Sequence, residues 1–166
     1  FIEEEEITVD SPNGIVTTAG TLHEPVRDTI ESAFDTTVHN QYGSREVGDM
    51  ACECTKQEGL HLFPYSHYFE IVDEEGVPVD PGEEGFVAVT SLTNYSMPLI
   101  RYKIGDMAVQ KTEPCSCDLP FPLIKTVTGR VSDHFVTADD QLVHGEYFTH
   151  LFYEASWVEK FQVRQV

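Results

Sequence analysis

Tyr42, Gly43, Ser44 and Glu46, in the stretch HNQYGSREVGD (residues 39–49), put an aromatic ring, a hinge, a hydroxyl and a carboxylate within five residues. Those types suit a nucleotide. A ring can pack on a flat ligand, and a glycine lets the backbone pass close to it. Ser44 and the amides around it can donate to an anion, more so if a helix starts there. Glu46 offers a hard oxygen of the kind that holds Mg²⁺ carried by a phosphate. A strand-to-helix turn with an exposed glutamate fits the same letters equally well. In a second segment, PLIRYKIGD (residues 98–106), Asp106 follows a glycine at the foot of an expected strand. A carboxylate placed there can accept hydrogen bonds from both hydroxyls of a ribose. Arg101 either joins that site or only anchors its loop through an ion pair. In the third, GRVSD (residues 129–133), Gly129 supplies backbone freedom, Arg130 a phosphate or ribose contact and Asp133 a capping acceptor at a hinge. Each pattern alone is weak.

The cysteines form two close pairs, Cys52/Cys54 and Cys115/Cys117, and a Cys-x-Cys pair bridges itself poorly. With His61 nearby they read as a metal site in a reducing compartment. Cys54, His61, Cys115 and Cys117 make a tetrahedral set suited to Zn²⁺. Cys52 competes with His61 for the fourth place, and four free thiols are the third reading. The remaining histidines (His23, His39, His67, His134, His144 and His150) share no ligand spacing and read as surface or packing groups.

Positioning these residues takes a scaffold of mixed type. GIVTTA (14–19) is β-branched and follows a Pro-Asn-Gly turn, which predicts a strand. Leu22, Val26, Ile30 and Phe34 recur at helical steps and predict one apolar stripe against a sheet. Thr21 with Glu24 resembles a capping box, whereas Pro25 prefers the first helical position. Thr36–His39 returns as a second strand, so the opening motif ends a strand–helix–strand unit of the parallel kind. Strands are expected at 68–72, 86–91, 107–111 and 123–127, with turns between them, as an antiparallel or barrel-like subdomain. Beyond lie an expected hairpin strand at 133–137, a helix at 146–155 and a closing strand at 161–165. Phe148, Leu151, Phe152 and Trp157 are expected to pack together there.

With 166 residues, 40% of them apolar, a sizeable core is available. The charge of −19 repels nucleic acid and anionic membranes and leaves an anionic ligand dependent on local basic groups or Mg²⁺. No apolar run reaches the length of a membrane span, and FIEEEEITVD has no leader-like pattern. The abrupt ends suggest an excerpt of a longer protein. Without a leader, the Asn94-Tyr95-Ser96 match to a glycosylation acceptor reads as chance, and a cytoplasmic location is expected.

Taken in order and at these separations, YGSREVG, TSLTNYSMPLIRYKIGD and GRVSD resemble the adenylate-forming (AMP-binding) ligase superfamily. The branch they resemble is that of phenylacetate–CoA ligase-like and capsular-polysaccharide-biosynthesis-type proteins. GLHLFPYSHYFEIVDEEGVPVDPGEEGFVAVTSL, the Cys-x-Cys pairs and VHGEYFTHLFYEASWVEKFQVRQ resemble that branch too, so the resemblance runs from about Ile15 onward. It implies an α/β fold. Residues 1–130 would be the carboxyl-terminal part of the large domain, and 131–166 the hinge and start of the small one. It implies that Tyr42 and Gly43 line an adenine pocket, Ser44 lies near the phosphate and acyl side, and Glu46 holds Mg²⁺ on ATP. Asp106 would bind the ribose, Arg130 the ribose or phosphate, and Asp133 would be the pivot of domain rotation, with Glu46 and Arg130 the catalytic pair. It also implies a structural Zn²⁺ on the Cys/His set. The activity implied is attack of a carboxylic acid on ATP to give an acyl-adenylate, then transfer to coenzyme A. Transfer to another acceptor, in polysaccharide or secondary-metabolite assembly, and a nonenzymatic zinc-stabilised module are the alternatives. Partners would be small molecules, with a homodimer left open. The family's Ser/Thr/Gly-rich phosphate loop and its late lysine have no match here, and Lys160 comes too early. The excerpt alone is therefore expected not to adenylate.

Overall fold

The computed structural model describes residues 10–130, 134–137, 142–152 and 157–165. The first strand, β1 (Ile15–Thr17), leads into α1 (Glu24–Phe34) and then β2 (Val38–Ser44). β1 and β2 pair in parallel, Ile15 opposite Val38, which is the expected crossover. The capping box does not form. His23 is the N-cap, without a side-chain cap, and its carbonyl accepts from the amides of Val26 and Arg27 at 3.0 Å each. Pro25 sits in the first turn, where its missing N–H costs nothing. Asp35 ends the helix in the left-handed conformation, φ 47°. The inward face also differs from the expected stripe. Val26 is exposed, and the one fully buried helix residue is Arg27, flanked by half-buried Ile30, Glu31 and Phe34.

After β2 the chain turns straight back. β3 (Gly48–Glu53) and β4 (Leu60–Leu62), neither expected from the sequence, continue the sheet antiparallel. β5 (His67–Val72), β6 (Glu84–Ser91), β7 (Tyr102–Gln110) and β8 (Leu123–Arg130) fall where strands were expected. β7 starts five residues early, because Tyr102 and Lys103 pair with Val89 and Ala88 across a bulge, so Asp106 lies inside the strand. These eight strands form one sheet in the order β1-β2-β3-β4-β8-β7-β6-β5. Met50, Leu60, Leu62, Ile71, Val87, Val89, Ala108 and Ile124 pack into one buried cluster. Strands β3 to β8 all contribute to that cluster, as expected of an antiparallel subdomain with one buried core. Each large aliphatic side chain removed from water there contributes roughly 1.5–3 kcal/mol.

A second, two-stranded sheet pairs β9 (His134–Val136) with β10 (Leu142–His144), followed by α2 (Glu146–Phe152). The expected helical continuation over 153–156 lies outside the described residues. Residues 161–165 do not form the expected strand. The Gln165 side-chain amide takes the edge of β9 instead, accepting from the Val136 amide at 2.9 Å and donating to the Val136 carbonyl. Phe148 packs edge-on against Phe135, and Phe152 tilts against Phe161, each pair 4.8 Å apart. Leu151 and Trp157, expected to join them, are exposed. No described helix is long and apolar enough to cross a membrane.

Candidate functional site

The opening motif is a β-hairpin rather than a loop before a helix. Tyr42, Gly43 and Ser44 are the last residues of β2, Arg45–Val47 make the turn, and Gly48 (φ 81°) starts β3. With no helix following Ser44, the anion-binding helix terminus that the sequence left open is not formed. The register slips between Tyr42 and Gly43. A Cβ on Gly43 would lie 2.7 Å from the Gly48 carbonyl oxygen, so the partner strand already dictates glycine. His67 holds the turn from β5, its Nε2 2.9 Å from the Val47 oxygen and its Nδ1 3.0 Å from Ser66 Oγ.

From this hairpin Tyr42 reaches across the fold. Its hydroxyl donates to Asp106 Oδ2 at 2.8 Å. On the neighbouring strands Asp106 stands opposite Arg130, and Arg130 Nε lies 3.5 Å from Asp106 Oδ1. Asp106 is buried, whereas the Arg130 side chain is 67% exposed and free to swing toward a ligand. Burial first, then the Asp106 charge, pushes the Tyr42 phenol far above its ordinary range, so it stays a donor. Tyr42, Gly43, Asp106, Gly129 and Arg130 line one cleft of about 630 Å³, with Lys125 also on its wall. That volume is ordinary for a small-molecule site.

Ser44 and Glu46 do not line that cleft. Ser44 Oγ is buried and completes no hydrogen bond among the described residues. Glu46 is exposed in the turn. Its own backbone amide, then the nearby Ser44 hydroxyl, hold its carboxyl below the usual carboxylate range, and the Arg130 and Arg45 charges add to this. Arg130 therefore lies within electrostatic reach of both Asp106 and Glu46. Asp133 lies outside the described residues. Arg101 takes the anchoring role: its Nε lies 3.0 Å from Glu70 Oε2 and its Nη2 donates to the Gly76 carbonyl at 2.7 Å.

One site feature escaped the sequence reading. Arg27 also lines the cleft, but its charge is spent inside the protein. Its Nη1 donates to the Val38 carbonyl at 2.6 Å, and its Nη2 to both oxygens of Glu53 at 2.9 and 3.0 Å. Glu53 Oε2 also accepts the Asn40 amide at 2.7 Å. The only sequence signal was an arginine one step from a helix's apolar stripe.

The second cluster adjoins the cleft in sequence, since Glu53 and Leu60, next to Cys54 and His61, line it. Cys54, His61, Cys115 and Cys117 bring their ligand atoms within 4.8 Å of one another. Cys54 and Cys115 Sγ are 3.5 Å apart, and Cys117 Sγ is 3.3 Å from His61 Nε2. Tetrahedral zinc with sulfur at about 2.3 Å requires sulfurs roughly 3.8 Å apart, so this donor set fits the ion. His61 Nδ1 is buried with no hydrogen-bond partner among the described residues. Cys52 is not in the group.

No family model matches the chain. Phenylacetate-coenzyme A ligase of Thermus thermophilus is 28% identical over 117 residues, 68% of this chain and 26% of the relative. Protein CapK of Staphylococcus aureus is 31% identical over 134 residues, 80% of this chain and 28% of the relative. The chain belongs to the adenylate-forming ligase superfamily. Within that superfamily it falls in the branch of phenylacetate–CoA ligases and CapK, and it spans roughly a quarter of the length of those relatives. A solved 2-hydroxyisobutyryl-CoA ligase, in an open conformation with 2-HIB-AMP and CoA, shares the ligase fold. Its TM-score is 0.74 at 20% identity, over 87% of this chain and 35% of that one.

Proposed function

We propose that the protein is an AMP-forming acid–thiol ligase, which joins a carboxylic acid to AMP and then to coenzyme A, and that the cleft is its adenosine-phosphate site. The observation that carries this is the meeting of Tyr42, Asp106 and Arg130, from β2, β7 and β8, on one cleft wall. A buried carboxylate with two lone-pair directions is a natural acceptor for the paired hydroxyls of a ribose. Here Tyr42 fixes Oδ2 of Asp106, and Arg130 has the exposure to leave Oδ1 for a phosphate oxygen. Tyr42 and the backbone at Gly43 would line the adenine, and Ser44, the next residue of β2, would lie toward the phosphate and acyl side.

Glu46 is the residue to hold Mg²⁺ on the triphosphate, where the ion would neutralise developing charge. Its carboxylate fits that task, being exposed and kept ionised. The Cys54–His61–Cys115–Cys117 set would hold zinc in a structural role, because four protein ligands leave no open position for chemistry. Asp133 is proposed as the pivot of the hinge after residue 130, the boundary between large and small domains.

Titration with AMP tests the assignment. This chain should bind AMP, and Asp106→Ala should weaken binding at least about tenfold, the loss of a charge-assisted contact of about 1.4 kcal/mol or more. Equal affinity in the wild type and Asp106→Ala would remove the ribose assignment.

A further inference from the structure

The segment joining two of the metal ligands is also a wall of the cleft. Gln57, Glu58, Gly59 and Leu60 all line the cavity, and they lie between Cys54 and His61. We propose that metal occupancy at Cys54, His61, Cys115 and Cys117 and nucleotide occupancy of the cleft are coupled through this segment, a coupling that presupposes the nucleotide reading of the cleft given above.

Two sets of contacts carry the linkage. The first runs from Cys54 into β2. The Gln57 amide donates to the Cys54 carbonyl at 3.0 Å, and the Lys56 amide lies 3.3 Å from Cys54 Sγ, so the ligand sulfur is held within a tight turn. Gln57 itself is left-handed, φ 53°. From that turn Gln57 Nε2 donates to the Val38 carbonyl at 2.9 Å and to Glu31 Oε1 at 3.2 Å. Val38 begins the strand that ends in Tyr42, Gly43 and Ser44. Displacing Cys54 therefore displaces a side chain that fixes both β2 and α1.

The second runs from the other cysteine pair into the cleft wall. Ser116, between Cys115 and Cys117, donates to Glu58 twice, from its amide to Oε2 at 3.1 Å and from its hydroxyl to Oε1 at 2.7 Å. Lys111 Nζ donates to the Glu58 carbonyl at 2.8 Å and lies 3.6 Å from Glu58 Oε2. Gly59 then passes so close to β8 that a Cβ would lie 2.7 Å from the Ile124 oxygen. Glu58 and Gly59 are thus clamped between the metal loops and the strand that carries Lys125 and Arg130.

A metal that ties Cys54 and His61 to Cys115 and Cys117 closes the β3–β4 loop against the β7–β8 loop. Without it the four side chains have no common attractor, and the wall between them loses its fixed ends. A nucleotide binding the ordered wall then meets part of its ordering cost already met, which is positive linkage. Linkage is reciprocal, so AMP must tighten zinc by the factor by which zinc tightens AMP.

The test measures both affinities on this chain: AMP binding with and without zinc, and zinc binding by chelator competition with and without AMP. The expected coupling factor is about tenfold in both directions. Lys111→Met/Ser116→Ala supplies the second arm. Neither residue ligates the metal or lines the cleft, yet both hold Glu58. This variant should retain zinc in stoichiometric amount while its coupling factor falls below about threefold. If the metal-free chain does not fold, the zinc-loaded forms decide: the variant should bind AMP at least about threefold more weakly than the wild type, and equal affinity overturns the proposal. A wild-type-sized factor in the variant overturns the proposal, as does AMP affinity independent of zinc in folded protein. AMP binding by a chain that takes up no zinc would remove the coupling and leave the nucleotide site standing. Failure of the zinc-loaded chain to bind AMP would remove both.

Discussion

Asp106 shows how a single carboxylate can serve the fold and the ligand at once. It is buried beside the Tyr42 hydroxyl and the Arg130 guanidinium, so it enters the folded state already hydrogen-bonded. The phenol pays for this by being nearly unable to ionise, since burial and the neighbouring negative charge both oppose the phenolate. A tyrosine in the unfolded chain loses its proton near pH 10. Above that pH the unfolded state binds fewer protons than the folded state, so stability falls as pH rises, by about 1.4 kcal/mol per unit. That contribution is fully present below pH 10. Tyr42→Phe should therefore be about 1–2 kcal/mol less stable than the wild type in urea at neutral pH. The gap should narrow as pH climbs past 10. A gap that stays constant to pH 11 would show that Tyr42 titrates normally.

At the scale of elements, the cleft is held open by the fastening of α1 to β2 and β3. Arg27 and Glu53 are each about a tenth exposed or less, and their ion pair, with the Asn40 amide, ties three elements together in the cleft wall. Breaking one side of a buried pair costs about 3–5 kcal/mol, much of it from the charge left behind. Glu53→Ala should lose that much stability in denaturant unfolding, and Arg27→Met/Glu53→Met should recover a good part. If the double variant is no better than the single, the pair is not the fastening. This pair also explains the helix misreading: the apolar pattern pointed to Val26, but the sheet side is taken by a paired arginine that hydropathy counts as polar. β5, β6 and β8 were legible in the sequence because short runs of aromatic and β-branched residues stand there between turn signals. β3 and β4 were not, since GDMACE carries small and polar residues and a three-residue strand has no period to show. The three motifs that put Tyr42, Asp106 and Arg130 on the cleft were legible by order and spacing, whereas the cleft walls from residues 19–27 and 53–60 were not. That Ser44 and Glu46 sit off the cleft wall was not, because it depends on a hairpin turn rather than on residue type.

For the whole molecule, a net charge of −19 surrounds a cleft proposed to take an anion. Arg27 is neutralised internally, which leaves Arg130 and Lys125 as the basic groups on the cleft wall. The repulsion is long-ranged, whereas contacts inside the cleft are short. Raising ionic strength from about 0.01 M to about 0.1 M shortens the screening length from about 30 Å to about 10 Å. AMP should therefore bind more tightly as salt is added over that range, opposite to the usual behaviour of an anion on a basic surface. Isothermal titration at two salt concentrations would decide, and weaker binding at the higher one would mean that local basic groups dominate. The pairing pattern sets a second property of the whole. β1 holds to β2 through the register Ile15–Thr17 alone, while β6 lies paired along its length between β5 and β7. Deuterium should enter the amides of β1 well before those of β6. The molecule should come apart from its parallel seam inward, so early breathing would free β1 while α1, fastened through Arg27 to Glu53, and the strand bearing Asp106 still stand.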